Sequence, residues 1–139
     1  MRRWLQPEAW GRWRVAPAAA CWLTVAVLSL LPASTFALVP PVVAFPHADK
    51  LVHAVMYGVL TVLSLWGAVL PPARSGERHV WFTAAAATAF GLLMEVLQGF
   101  TATRTPELLD AAANAAGAFA AAGMWWRGAR RRAAQAARG

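Results

Sequence analysis

Cysteine, tyrosine and lysine occur only once each in these 139 residues, and acidic residues number six. The lone cysteine, Cys21, excludes an intrachain disulfide and any cysteine-pair metal site. Set inside an apolar run, it reads as a small buried hydrophobe. Charged residues make up 14% of the chain, where a soluble globular domain carries about 25%. A domain of this length keeps a high surface-to-volume ratio, so its interior cannot hide a 59% hydrophobic composition. Lipid is the expected solvent for the excess. A net charge of +7 with no groove-reading motif argues against nucleic acid as a partner. Nothing resembles a nucleophile motif either, and Ser29 and Ser64 sit on unsuitable levels or faces. No internal repeat is visible.

Four apolar runs are long enough to span about 30 Å of hydrocarbon at about 1.5 Å per residue. They cover Val15 to Leu31, Leu51 to Leu70, Val80 to Phe100, and Leu108 to Trp126. Pro32 with Pro40-Pro41, Pro71-Pro72 with Gly76, and Thr105-Pro106 separate them. The proline-rich stretch Phe36 to Phe45 is expected to lie in the membrane interface. The expected fold is all-α: a polytopic membrane protein with a four-helix transmembrane bundle over residues 15–126. A basic N-terminal segment, 1–14, and a basic tail, 127–139, flank it.

Arginine placement orients the bundle. Arg2, Arg3, Arg12 and Arg14 precede the first run, Arg74 and Arg78 follow the second, and Arg127, Arg130, Arg131, Arg132 and Arg138 follow the fourth. Only Lys50 and Arg104 lie on the other side. This asymmetry places both termini in the cytoplasm. Trp13, Trp66, Trp81, Trp125 and Trp126 fall at the same, cytoplasmic, helix ends, as an interfacial belt requires. Trp4 and Trp10, among the N-terminal arginines, suit a surface-lying segment. The rival reading is a signal peptide cleaved after Ala37, but the first apolar run exceeds a usual signal core. The fourth run is alanine-rich, with Gly117 and Gly123, so it is expected to pack inside the bundle.

Polar residues then stand out by their rarity. Asp49, His53 and Tyr57 follow a spacing of four on the second run. Glu95 and Gln98 lie three apart on the third, continuing a small-residue track through Ala84, Thr88 and Gly91. Asp110, Asn114 and Gly117 follow spacings of four and three on the fourth. Topology brings the three stripes to one layer, about 8–10 Å below the outer surface. Hydrocarbon offers no partners, so the stripes turn toward one another and form an outward-opening polar pocket. Lys50 and Arg104 can reach over it. Plain interhelical glue is the simpler alternative. Intramembrane hydrogen bonds average about 0.6 kcal/mol, whereas a charge at mid-membrane costs about 2.5–3.5 kcal/mol. Serine or threonine would serve as glue at lower cost, which favours a functional site.

The segments "DKLVHAVMYGVL" and "FGLLMEVLQGFTATRTPELLDAAANAAG" resemble the VanZ-like membrane proteins. That family's pattern is Asp-Lys-x-x-His-x-x-x-Tyr on one helix, Glu-x-x-Gln on the next, a loop arginine, and Asp-x-x-x-Asn-x-x-Gly opening the last. Its elements match Asp49, Lys50, His53 and Tyr57, then Glu95 and Gln98, then Arg104, then Asp110, Asn114 and Gly117. The resemblance implies a small multi-pass protein of the bacterial cytoplasmic membrane. The family's name comes from low-level teicoplanin resistance, a phenotype rather than a mechanism.

Three functions follow as expectations. In the first, the pocket binds an envelope lipid, a lipid-linked precursor or a glycopeptide-type amphiphile, with Lys50 and Arg104 supplying positive charge. Asp49, Tyr57, Gln98, Asn114 and Gly117 complete that binding set. In the second, a membrane-embedded hydrolase or transferase uses His53 as a base beside Glu95 and Asp110, with Arg104 stabilising a developing anion. The third is a small transporter or assembly subunit, with Glu95 relaying protons and a homo-oligomer or membrane partner supplying further helices. His53, Asp49, Glu95 and Asp110 are possible cation ligands. One histidine and scattered carboxylates form no local metal motif, so neither a metal nor a cofactor is expected. His47 and His79 are expected as solvated loop residues.

Overall fold

A computed structural model of the protein describes residues 13–36, 47–67, 76–101 and 105–139. These residues form four α-helices, α1 (Ala16–Leu30), α2 (Ala48–Gly67), α3 (Glu77–Gln98) and α4 (Leu108–Ala136), with a 3-10 turn at Ala33–Phe36. There is no strand among them. Pro17 stands in the first turn of α1, where its missing N–H costs nothing. Pro32 ends that helix, and Leu31 before it is extended at φ −66°, ψ 145°, as the residue preceding proline prefers. Glu107, following Pro106, is extended as well and forms the entry to α4.

Three segments are long and apolar enough to cross a membrane: Trp13–Leu30, Ala48–Gly67 and Glu77–Gln98. α4 differs from expectation. It does not stop at Trp126 but continues through the basic tail to Ala136. Alanine, arginine and glutamine are strong helix formers, and Gly128 alone does not break the run. Its 29 residues extend about 44 Å, beyond the roughly 30 Å of a hydrocarbon core.

The helices pack up and down. Gln98 Nε2 at the end of α3 donates to the Ser29 carbonyl at the end of α1, 2.9 Å away. At the other end, a β-carbon on Gly67 would lie 2.9 Å from the Arg14 carbonyl oxygen. Trp22 of α1 donates to Ser64 of α2 at 3.0 Å, so Ser64 is a helix tie. The interior centres on Val25, Tyr57, Leu60, Val80 and Ala118. Large apolar side chains also cover the outside, among them Leu23, Val55, Phe82 and Leu93. Such a surface suits lipid rather than water.

Two glycines permit the closest approaches. A β-carbon on Gly117 of α4 would coincide with the Ala54 carbonyl oxygen of α2. One on Gly91 of α3 would lie 2.9 Å from Asn114 Nδ2 and 3.0 Å from Tyr57 Cε1. These contacts draw α2, α3 and α4 together where their polar residues lie.

Candidate functional site

The start of α2, the end of α3 and the start of α4 meet at one end of the bundle. There Lys50 Nζ lies 2.7 Å from Asp49, 2.5 Å from Glu107 and 2.6 Å from Asp110 Oδ1. The lysine side chain is only 15% exposed. Its charge is therefore spent on three carboxylates of its own chain. This corrects the expectation that Lys50 offers positive charge to an anionic ligand. The physical reason is Glu107, which the sequence reading did not single out. Its backbone is extended at the N-cap of α4, and its side chain reaches Lys50 across 57 positions of sequence. Its only signal in the sequence was a position three residues before Asp110.

One turn deeper, His53 Nδ1 stands 3.0 Å from Asn114 Oδ1. A carbonyl oxygen only accepts, so Nδ1 carries the hydrogen and donates it. In the neutral ring this leaves a lone pair on Nε2, which faces Asp110 Oδ2 at 3.7 Å. Asp110 thus divides its oxygens, Oδ1 toward Lys50 and Oδ2 toward His53. Glu95 completes the layer. It is 7% exposed, and its Oε2 accepts from the Glu107 backbone N–H at 3.0 Å. One ligand atom from each of His53, Glu95 and Asp110 can be chosen so that all three lie within 4.8 Å of one another.

Asn114 and Tyr57 are each 1% exposed. Tyr57 and Phe90 have ring centroids 6.4 Å apart, and Phe90 and Trp22 4.6 Å. These rings pack in series beside the polar layer. The structure therefore brings together Asp49, Lys50, His53, Glu95, Asp110 and Asn114. Gln98 is committed elsewhere, donating to Ser29, and Gly117 acts through the α2–α4 approach. Arg104 lies outside the described residues. His79 is not in a loop. It occupies the first turn of α3 and is partly buried.

A cleft of about 340 Å³ opens onto the layer between α3 and α4. Leu92, Val96, Leu108 and Ala111 form its apolar walls, and Glu95 and Glu107 its polar part. A second groove of about 420 Å³ between α2 and α4 is apolar, running past Ala54, Gly58, Gly117 and Met124. The polar layer offers a base at His53 Nε2 and an excess of acceptors. Among the described residues, Asp49, Glu95, Glu107 and Asp110 stand against a single lysine. No protein-family model, curated protein or solved structure matches the chain.

Proposed function

We propose that the chain is a VanZ-like protein of the bacterial cytoplasmic membrane that receives the headgroup of an envelope amphiphile. In this reading α4 is a fourth crossing and both termini are cytoplasmic. Arg127, Arg130, Arg131 and Arg132, on the α4 extension, then face the cytoplasm, and the polar layer opens outward. The tryptophans support this orientation, since Trp13, Trp66, Trp81, Trp125 and Trp126 belong to the helix ends away from the polar layer.

The observation that carries the reading is the cleft between α3 and α4. Its walls are apolar, Leu92, Val96, Leu108 and Ala111, while Glu95 and Glu107 stand at its polar part. That division matches a molecule with a chain and a polar head. With Lys50 paired to three carboxylates, the described residues of the site favour a head with hydrogen-bond donors or positive charge, such as sugar hydroxyls or an amine. Lipid-linked sugars and glycopeptide-type amphiphiles both meet that requirement. Mass spectrometry of lipids retained by the purified protein tests it. A retained species with a donor-rich head supports the reading, and a composition equal to bulk membrane lipid contradicts it.

The Nε2 lone pair of His53 supports a second reading, an enzyme that hydrolyses or transfers a headgroup with His53 as base. A modified rather than intact species in the same experiment favours it.

A further inference from the structure

The inner part of the polar layer consists of acceptors that face one another. His53 Nε2 has a lone pair because Asn114 takes the hydrogen on Nδ1, yet it lies 3.7 Å from a carboxylate oxygen. Glu95 brings a second carboxylate to the same point. Acceptors at such distances in a low-dielectric setting call for something positive between them, and a proton or a metal ion supplies it. Among the described residues Lys50 is the nearest cation, and it meets the outer oxygen of Asp110, Oδ1.

The geometry points to a divalent first-row metal site formed by His53 Nε2, Asp110 Oδ2 and a Glu95 carboxylate oxygen. Metal bonds of about 2.0–2.2 Å place neighbouring ligand atoms about 3–3.5 Å apart. The His53–Asp110 pair is almost at that spacing, and one ligand atom from each of the three residues can be chosen so that all lie within 4.8 Å of one another. An imidazole nitrogen with two carboxylates suits zinc or manganese, whereas calcium and magnesium favour all-oxygen shells. The supporting contacts resemble those of metal sites generally. Asn114 fixes the imidazole tautomer, Lys50 orients Asp110, and the Glu107 N–H holds Glu95.

Three protein ligands leave further coordination positions open, and one of the three, Glu95, also lines the cleft. The inference builds on the headgroup reading, since those positions suit an oxygen of the bound head. It also widens the ligand class. A dication offsets the surplus carboxylates and admits a phosphate-bearing head that the metal-free site repels.

The test is Mn2+ binding to the chelator-stripped full chain in nanodiscs, by calorimetry and pulsed EPR. Saturable binding at one site with a Kd below about 1 mM, and nitrogen modulation from one imidazole, are expected. His53→Gln should abolish the nitrogen signal, and Glu95→Gln and Asp110→Asn should each weaken binding more than about tenfold. Asp49→Asn, which alters only the outer carboxylates, should change it less than about threefold. Absence of saturable binding in the native chain overturns the inference, as does binding without a nitrogen signal. These two readouts need no variant to fold. Metal binding in protein with no retained amphiphile sinks the headgroup reading alone. Amphiphile retention unaffected by chelation, with no Mn2+ signal, sinks the metal site alone.

Discussion

The imidazole of His53 and the amide of Asn114, 61 positions apart in sequence, are joined by a 3.0 Å hydrogen bond between α2 and α4. That bond decides which nitrogen of the histidine is a base. It also explains why a residue as polar as Asn114 is 1% exposed among alanines.

Replacing Asn114 with alanine removes the acceptor and leaves the His53 N–H without a partner. An interhelical hydrogen bond in a membrane averages about 0.6 kcal/mol, but an orphaned buried donor costs about 1–3 kcal/mol. Asn114→Ala is expected to lie in the higher range when unfolding is followed in detergent. A loss near the lower figure shows that the pair is glue and nothing more.

Lys50 concentrates the outer charge. Lys50→Gln leaves Asp49, Glu107 and Asp110 mutually repelling, and the expected loss is about 1.5–3 kcal/mol. Adding Glu107→Gln should recover a good part of it, because the repulsion falls with each carboxylate removed. A double variant less stable than the single one contradicts the arrangement around Lys50.

The glycines give a graded series. Gly117→Ala sets a β-carbon on the Ala54 carbonyl oxygen, and neither backbone can yield, so the helix pair should not assemble. Gly91→Ala presses on Asn114 and Tyr57 side chains and should cost about 1–3 kcal/mol. At Gly123 the nearest atom, from Trp81, would be 3.9 Å away. Gly123→Ala should therefore be neutral or stabilise by about 0.5–1 kcal/mol. Thermal unfolding of the three purified variants ranks them.

Orientation is open to labelling, because Cys21 is the only native thiol. In a Cys21→Ala background, Thr105→Cys should react with an impermeant maleimide added outside intact cells. Ala137→Cys should react only after the membrane is opened. The reverse pattern inverts the bundle and points the polar layer at the cytoplasm.

Much of this was legible in the sequence. Long uncharged runs bounded by prolines marked the helices, since a bilayer-length apolar stretch has few alternatives. The spacings of Asp49, His53, Glu95, Asp110 and Asn114 announced shared faces, because polar groups in hydrocarbon must find each other. The role of Lys50 was not legible, as it depends on where the turn into α4 places Glu107. The division of Asp110's two oxygens and the tautomer of His53 depend on contacts of 2.6 to 3.7 Å between particular atoms, which spacing does not encode. The true end of α4 was missed because membrane reasoning stops at Trp126, whereas helix propensity carries on through the arginines.

The central claim is that the polar layer holds the head of an amphiphile, and Glu95 is the residue to ask. Glu95→Gln keeps the shape and still accepts from the Glu107 N–H, while removing one charge from the cleft. The decisive measurement is quantitative lipid mass spectrometry on purified native and Glu95→Gln protein, prepared from the same membranes. The account predicts a donor-rich amphiphile enriched over bulk lipid in the native protein and depleted in the variant. Equal retention in both, or no enrichment in either, contradicts it.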